Sequence, residues 1–208
     1  MNDATTPQAP GRTRASDRVL AWVLLIGGVV GGLAAFVLVV EKIALLKDPS
    51  YVPSCSLNPV LSCGSIMTTE QAEVFGFPNP LIGVAAFPVL VTTGVALIAG
   101  ARLPRWYWLG LQVGATLGVT FVGWLIFQSL YRIGALCPYC MIVWAVVIPI
   151  WWYVTRRNLG AGVLGSRLAE SRGVGSLHRS HALVLTLIVV AIVVLIAQRF
   201  WTYWSTLL

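Results

Sequence analysis

Five uncharged stretches of about twenty residues divide the chain: Val19–Val40, Leu81–Ala101, Trp106–Leu130, Cys137–Thr155 and Ala182–Gln198. As helices, such stretches cross a hydrocarbon core of roughly 30 Å. Inside that core only a helix or a closed barrel satisfies its own backbone hydrogen bonds. The composition agrees: 58% of the 208 residues are hydrophobic and 10% charged, against about a quarter charged in a soluble domain. The expected fold class is an all-α membrane protein, a four-helix transmembrane bundle plus a fifth transmembrane helix. The first stretch exceeds the roughly 7–15 residues of a signal-peptide core, so it reads as a retained helix. Residues 1–18 read as a disordered tail rich in Pro, Thr and Arg.

Five crossings put the termini on opposite sides, and basic residues favour the cytoplasm. With the N-terminus inside, the cytoplasmic segments hold Arg12, Arg14, Arg18, Arg102, Arg105, Arg156, Arg157, Arg167, Arg172 and Arg179. The outer segments then hold Lys42, Lys47, Arg132 and Arg199. The net charge of +7 therefore reports topology and contact with anionic lipid, not nucleic-acid binding. Residues 156–181 read as a solvated cytoplasmic basic loop, whose His178 and His181 fall on the wrong side to share a site with the cysteines.

That topology places all four cysteines on the outer, oxidising face. Cys55 and Cys63 lie in the loop between the first two spans, and Cys137 and Cys140 start the fourth within "GALCPYCMIVW". Zinc sites usually show two close-spaced ligand pairs; Cys55 and Cys63 are eight apart, so no metal is expected. Haem attachment needs a histidine after the second cysteine of CxxC, and residue 141 is Met. Two structural disulfides remain an alternative to a redox relay. A bridge across CxxC closes a small, easily exchanged ring, as a relay requires. Pro138 suits the first helical position. Cys137 then sits at or near the N-cap and Cys140 in the first turn, where the helix's free amides favour a thiolate.

Gly27, Gly28, Gly31 and Gly32 in the first span, and Gly110, Gly114 and Gly118 in the third, read as small faces for close helix packing. Four close helices with a dithiol at one end would make an apolar pocket open to lipid. A quinone suits such a pocket as the electron-accepting substrate. Candidate lining residues are Phe87, Trp124, Phe127 and Trp144, although packing or the interfacial aromatic belt explains each equally well. Asn79 could hydrogen-bond a quinone carbonyl or cap the second span. The loop Ile43–Pro80, about 37 residues, is long enough to be functional. Within it Ser65–Phe75 reads as a short helix lying across the bundle as a lid.

Over residues 19–155 the pattern resembles the vitamin K epoxide reductase family. Cys55–x7–Cys63, the following Ser/Thr segment ending at Thr69, "FPNPLIG" and "CPYC" stand in that family's order. A second type of four-cysteine membrane quinone reductase carries its CxxC in the first outer loop; here CxxC comes last. The resemblance implies a catalytic core over 19–155, with outer loop 44–80, in which Cys55 and Cys63 shuttle reducing equivalents. It also implies that Cys137 exchanges with the loop, that Cys140 faces the quinone, that Asn79 contacts it, and that Thr69 is the family's functional Ser/Thr. Trp144 stands where vertebrate members have a tyrosine. Many bacterial members continue after the fifth span into a thioredoxin-like domain, whereas this sequence stops at Leu208. The expected partner is therefore a separate thioredoxin-fold protein on the outer face of a bacterial cytoplasmic membrane. The function implied is quinone-dependent reoxidation of that partner, supporting disulfide formation in secreted proteins. From a different class, the alternative is a structural membrane protein with a disulfide-stapled docking loop, whose cysteines would ignore quinone supply.

Overall fold

The computed structural model describes residues 10–165 and 181–205. In chain order these form α1 (Pro10–Lys47), α2 (Cys63–Met67), a 3-10 turn (Glu70–Glu73), α3 (Pro80–Ile98) and α4 (Arg105–Phe127). A π-helical turn (Gln128–Ile133), α5 (Pro138–Gly160), α6 (His181–Arg199) and α7 (Trp201–Trp204) follow. Five of these segments, counting α4 with its π turn, are long and apolar enough to cross a membrane. The protein is thus an all-α membrane bundle.

The helices outrun the apolar stretches because their polar ends find partners. α1 continues past Val40 through Glu41 and Lys42, both buried and both bonded to the following loop. At its other end α1 already begins at Pro10, so residues 10–18 of the expected disordered tail are helical. Proline is tolerated in a first turn, and Asp17 lies 3.9 Å from Arg157 of α5. Residues 1–9 lie outside the described residues, as do 166–180 of the expected basic loop with Arg167, Arg172, His178 and Arg179.

The helices pack in the order α3 on α1, α1 on α5 and α5 on α4. Glycine makes the α1–α3 contact possible. A Cβ on Gly31 would stand 2.3 Å from Phe87 Cζ, and one on Gly28 would stand 2.8 Å from Val91 Cγ2. Gly94 of α3 answers from the other side, where a Cβ would fall 2.8 Å from the Ala21 carbonyl oxygen and from Leu25 N. Without a hydrophobic drive in lipid, this backbone approach supplies the packing energy.

The glycines of α4 do not do this. A Cβ on Gly110 or Gly114 would meet nothing within 4 Å, and one on Gly118 would meet only Val147 Cγ1 at 3.8 Å. The expectation of tight packing there is overturned: α3 and α4 are not packed along their length, and these glycines border a cavity. A hydrogen bond between the Thr93 and Tyr107 hydroxyls joins the two helices at the end away from the cysteines.

α6 stands apart, with almost every side chain from Leu183 to Leu195 exposed or half-exposed, as suits a lipid-facing helix. Its far end is fastened. Phe200 packs in a cluster with Leu130, Leu136 and Trp144, and Arg199 Nε donates to the Leu130 carbonyl at 2.7 Å.

Candidate active site

The site is built on the first turn of α5. Cys137 is the N-cap, in extended backbone (φ −107°, ψ 119°), with Pro138 next in the helix. The Cys140 N–H donates to Cys137 Sγ at 3.4 Å, so a sulfur fills the role an N-cap oxygen usually plays. A cysteine at an N-cap faces the helix's free amides, which favour the thiolate, the attacking species in disulfide exchange.

A short parallel bridge brings the loop to this turn. Leu136 N–H donates to the Val60 carbonyl at 2.7 Å, and Ser62 N–H donates to the Leu136 carbonyl at 2.9 Å. Gly134, at φ +72°, closes the π turn and releases the chain into this extended stretch. Ser62 then caps α2, its Oγ accepting from Ser65 N at 3.3 Å, so the helix begins at Cys63 itself. Two paired backbone segments, each ending in a cysteine, place Cys63 Sγ 3.0 Å from Cys137 Sγ. Cys63 is disulfide-bonded to Cys55, with Cα atoms 5.6 Å apart, while Cys137 and Cys140 are free. The sulfurs of Cys55, Cys63 and Cys137 all lie within 4.8 Å of one another. Two of the three are bonded to each other, and the third lies within reach of disulfide exchange with them.

The rest of the loop is fastened by polar groups at its roots. Glu41 accepts from the Tyr51 hydroxyl at 2.9 Å and from Ser54, next to Cys55. The Glu41 contact raises the Tyr51 pKa. Lys42 Nζ donates to the Met67 carbonyl at 2.7 Å and pairs with Glu73 at 2.8 Å. In place of one lid helix over Ser65–Phe75 there are two short pieces, α2 and the 3-10 turn. Between them the Thr68 and Thr69 hydroxyls bond back to the Gly64 and Ile66 carbonyls, at 3.1 and 2.7 Å. Such bonds compete with helical continuation.

Beneath this lid lies a cavity of about 550 Å³ between α3 and α4, walled mostly by apolar side chains. Cys63, Cys137 and Cys140 stand in its wall together with Asn79, Phe87 and Trp144. It extends down α4 past Gly118, Gly114 and Gly110 to Trp106. Trp124 and Thr69 are not in the wall. Trp124 stacks on Phe121 with ring centroids 5.8 Å apart, and Thr69 is turned to Ile66. Phe127 is exposed beside Tyr131. Asn79 makes no cap bond; its amide donates to the Gln71 carbonyl at 2.7 Å and accepts from Val74 N at 3.3 Å, tying the lid to the start of α3.

The sequence marks neither Glu41 nor Gln128, and marks Lys42 only as an outer basic residue. Glu41 and Lys42 follow an apolar stretch directly, and a charge pair at that boundary was the available signal. Gln128 is an amide close to the end of another such stretch, and it lines the cavity.

No curated protein matches the chain. A family model, described as the vitamin K epoxide reductase family, matches residues 22–155, a region that runs from α1 to α5 and includes all four cysteines. That match covers more than half of the sequence, and the chain therefore belongs to the vitamin K epoxide reductase family of membrane thiol-disulfide oxidoreductases that work with quinone.

Proposed function

We propose that the protein reoxidises a separate thioredoxin-fold protein on the outer face of a bacterial cytoplasmic membrane and passes the electrons to membrane quinone. Disulfide formation in secreted proteins would be sustained in this way. The observation that carries the reading is the contact of Cys63 Sγ with Cys137 Sγ at 3.0 Å, while Cys140 opens on an apolar cavity. The Arg-rich segments at the opposite end support a cytoplasmic N-terminus. Residues 19–155 carry the catalysis.

The partner dithiol reduces the Cys55–Cys63 disulfide, leaving the partner oxidised and the loop as two thiols. Cys55, the cysteine farther along the chain from the Cys137 contact, meets the partner. Cys63 thiolate then attacks Cys137 of a Cys137–Cys140 disulfide, forming Cys63–Cys137 and releasing Cys140. Cys55 attacks Cys63, restoring the loop disulfide and freeing Cys137. That redox state is the one described above, with the loop bridged and CPYC reduced. Finally the Cys137–Cys140 dithiol gives two electrons and two protons to the quinone. Cys140 attacks the ring, Cys137 displaces it to close their disulfide, and quinol leaves.

The test is turnover in liposomes containing a menaquinone analogue, with a reduced thioredoxin-fold protein as donor. Cys140→Ala should abolish quinone loss. Cys63→Ser should abolish it with the protein donor but retain it with dithiothreitol, which can reduce CPYC directly. Quinone-dependent turnover by Cys140→Ala would overturn the reading.

A further inference from the structure

Glu41 and Lys42 are neighbouring buried charges at the outer end of α1, and between them they hold both sides of the loop disulfide. Ions are seldom buried unless paired, and the partners here are specific. Lys42 Nζ donates to the Met67 carbonyl at 2.7 Å and pairs with Glu73 Oε1 at 2.8 Å. Met67 ends α2, whose first residue is Cys63, and the last carbonyls of a helix have no partner within it. The Ser62 bond to the Leu136 carbonyl fixes the start of this short helix, and Lys42 fixes its end. Glu41 holds the other arm. Its Oε2 accepts from the Tyr51 hydroxyl at 2.9 Å, and its two oxygens share the Ser54 N–H at 3.3 and 3.4 Å, one residue before Cys55. None of these bonds runs through sulfur.

Resting on the relay proposed above, we infer that both are positioning residues for the state in which the loop disulfide is open: Lys42 keeps Cys63 against Cys137, and Glu41 keeps Cys55 against Cys63. Each exchange then takes place between sulfurs already in place, which raises the effective concentration of one thiol at the other. When the Cys63 thiolate attacks Cys137, the Cys63–Cys137 bond forms, the Cys137–Cys140 bond breaks, and Cys140 leaves as a thiolate. Cys55 thiolate next attacks Cys63, re-forming the loop disulfide and releasing Cys137 as a thiolate. Cys63 takes part in both steps, so Lys42 serves both. Glu41 serves only the second.

The experiment isolates each sulfur pair in the full chain in detergent, equilibrates it with reduced and oxidised glutathione, and counts free thiols. One oxidised glutathione makes one protein disulfide and leaves two glutathione thiols, so the equilibrium constant reads the effective concentration directly. Cys55→Ser with Cys140→Ser leaves the Cys63, Cys137 pair; Cys137→Ser with Cys140→Ser leaves Cys55, Cys63; Cys55→Ser with Cys63→Ser leaves Cys137, Cys140. Lys42→Met should lower the constant about tenfold in the first two pairs and leave the third unchanged, as loss of one hydrogen bond from a charged group predicts. Lys42→Arg, which keeps the charge and the donors, should restore it. Glu41→Gln, with one accepting oxygen in place of two, should lower the constant of the Cys55, Cys63 pair alone. General loosening of the fold would instead move all three pairs together. That result, or no change in any pair, would overturn the inference and leave the relay standing. Failure of the parent Cys63, Cys137 pair to form a disulfide would overturn the relay, and this inference with it.

Discussion

The glycines of α1 and those of α4 look alike in sequence, three or four residues apart on one face of an apolar helix, yet they do opposite things. Those of α1 bring α3 to within backbone contact: at Gly28 a Cβ would stand 3.1 Å from Val91 N as well as against its side chain. Those of α4 are loosely placed: Gly110 and Gly114 have open space where a side chain would go, and Gly118 would meet only Val147 Cγ1 at 3.8 Å. The first stripe makes a joint and the second makes a hollow. A missing side chain is therefore a statement about distance only in company: the partner helix decides whether the small residue is filled against or left as volume. The arrangement closes α1 on α3 and leaves a hollow between α3 and α4.

Substitutions at the two stripes should separate these roles, and the largest effect is expected at the joint. Gly94→Ala sets a methyl group against the backbone of α1, which no rotamer change relieves. We expect a loss of about 3 kcal/mol, at the upper end for overpacking, read as a fall in thermal midpoint in detergent and a drop in folded yield. A midpoint equal to that of the parent would show that α1 and α3 are not joined as described. Gly114→Leu fills the hollow instead. Its midpoint should not fall, while quinone turnover falls about tenfold through steric exclusion of substrate worth about 1–3 kcal/mol. Unchanged turnover with an unchanged midpoint would place the substrate elsewhere.

The four cysteines were legible because topology alone gathers them: with five crossings, both pairs must reach the same side. The N-cap placement of Cys137 was legible too, since Pro138 marks the first helical residue. What could not be read is which loop cysteine touches CPYC. That depends on the bridge between Val60–Ser62 and Leu136, a register between segments about seventy residues apart whose local sequence shows no pairing signal. The lid fasteners were hidden for a related reason. Glu41 and Lys42 look like charges leaving the membrane until Tyr51, Ser54, Met67 and Glu73 fold back onto them. Asn79 makes no cap bond; it stands in the cavity wall while its amide holds residues 71 and 74. Trp124 and Thr69 illustrate the limit of aromatic and hydroxyl side chains as markers: one stacks on Phe121 and the other bonds its own turn.

The smallest effect is the most discriminating, because its sign differs between the stripes. In mid-helix, glycine is about 0.5–1 kcal/mol worse than alanine, since it loses more backbone freedom on folding. At Gly110 nothing lies within 4 Å of the added carbon, so Gly110→Ala should recover that term and raise the thermal midpoint. At Gly31 the same term is available, but the new carbon would lie 2.3 Å from the Phe87 ring, itself buried and in the cavity wall. The ring must move, and the net change should be destabilising. Measured side by side, Gly110→Ala should stabilise and Gly31→Ala destabilise. If both stabilise, Phe87 moves aside cheaply and the α1 stripe is no tighter than the α4 stripe. If both destabilise, α4 has a neighbour at Gly110, and the hollow that the quinone reading depends on is occupied by protein.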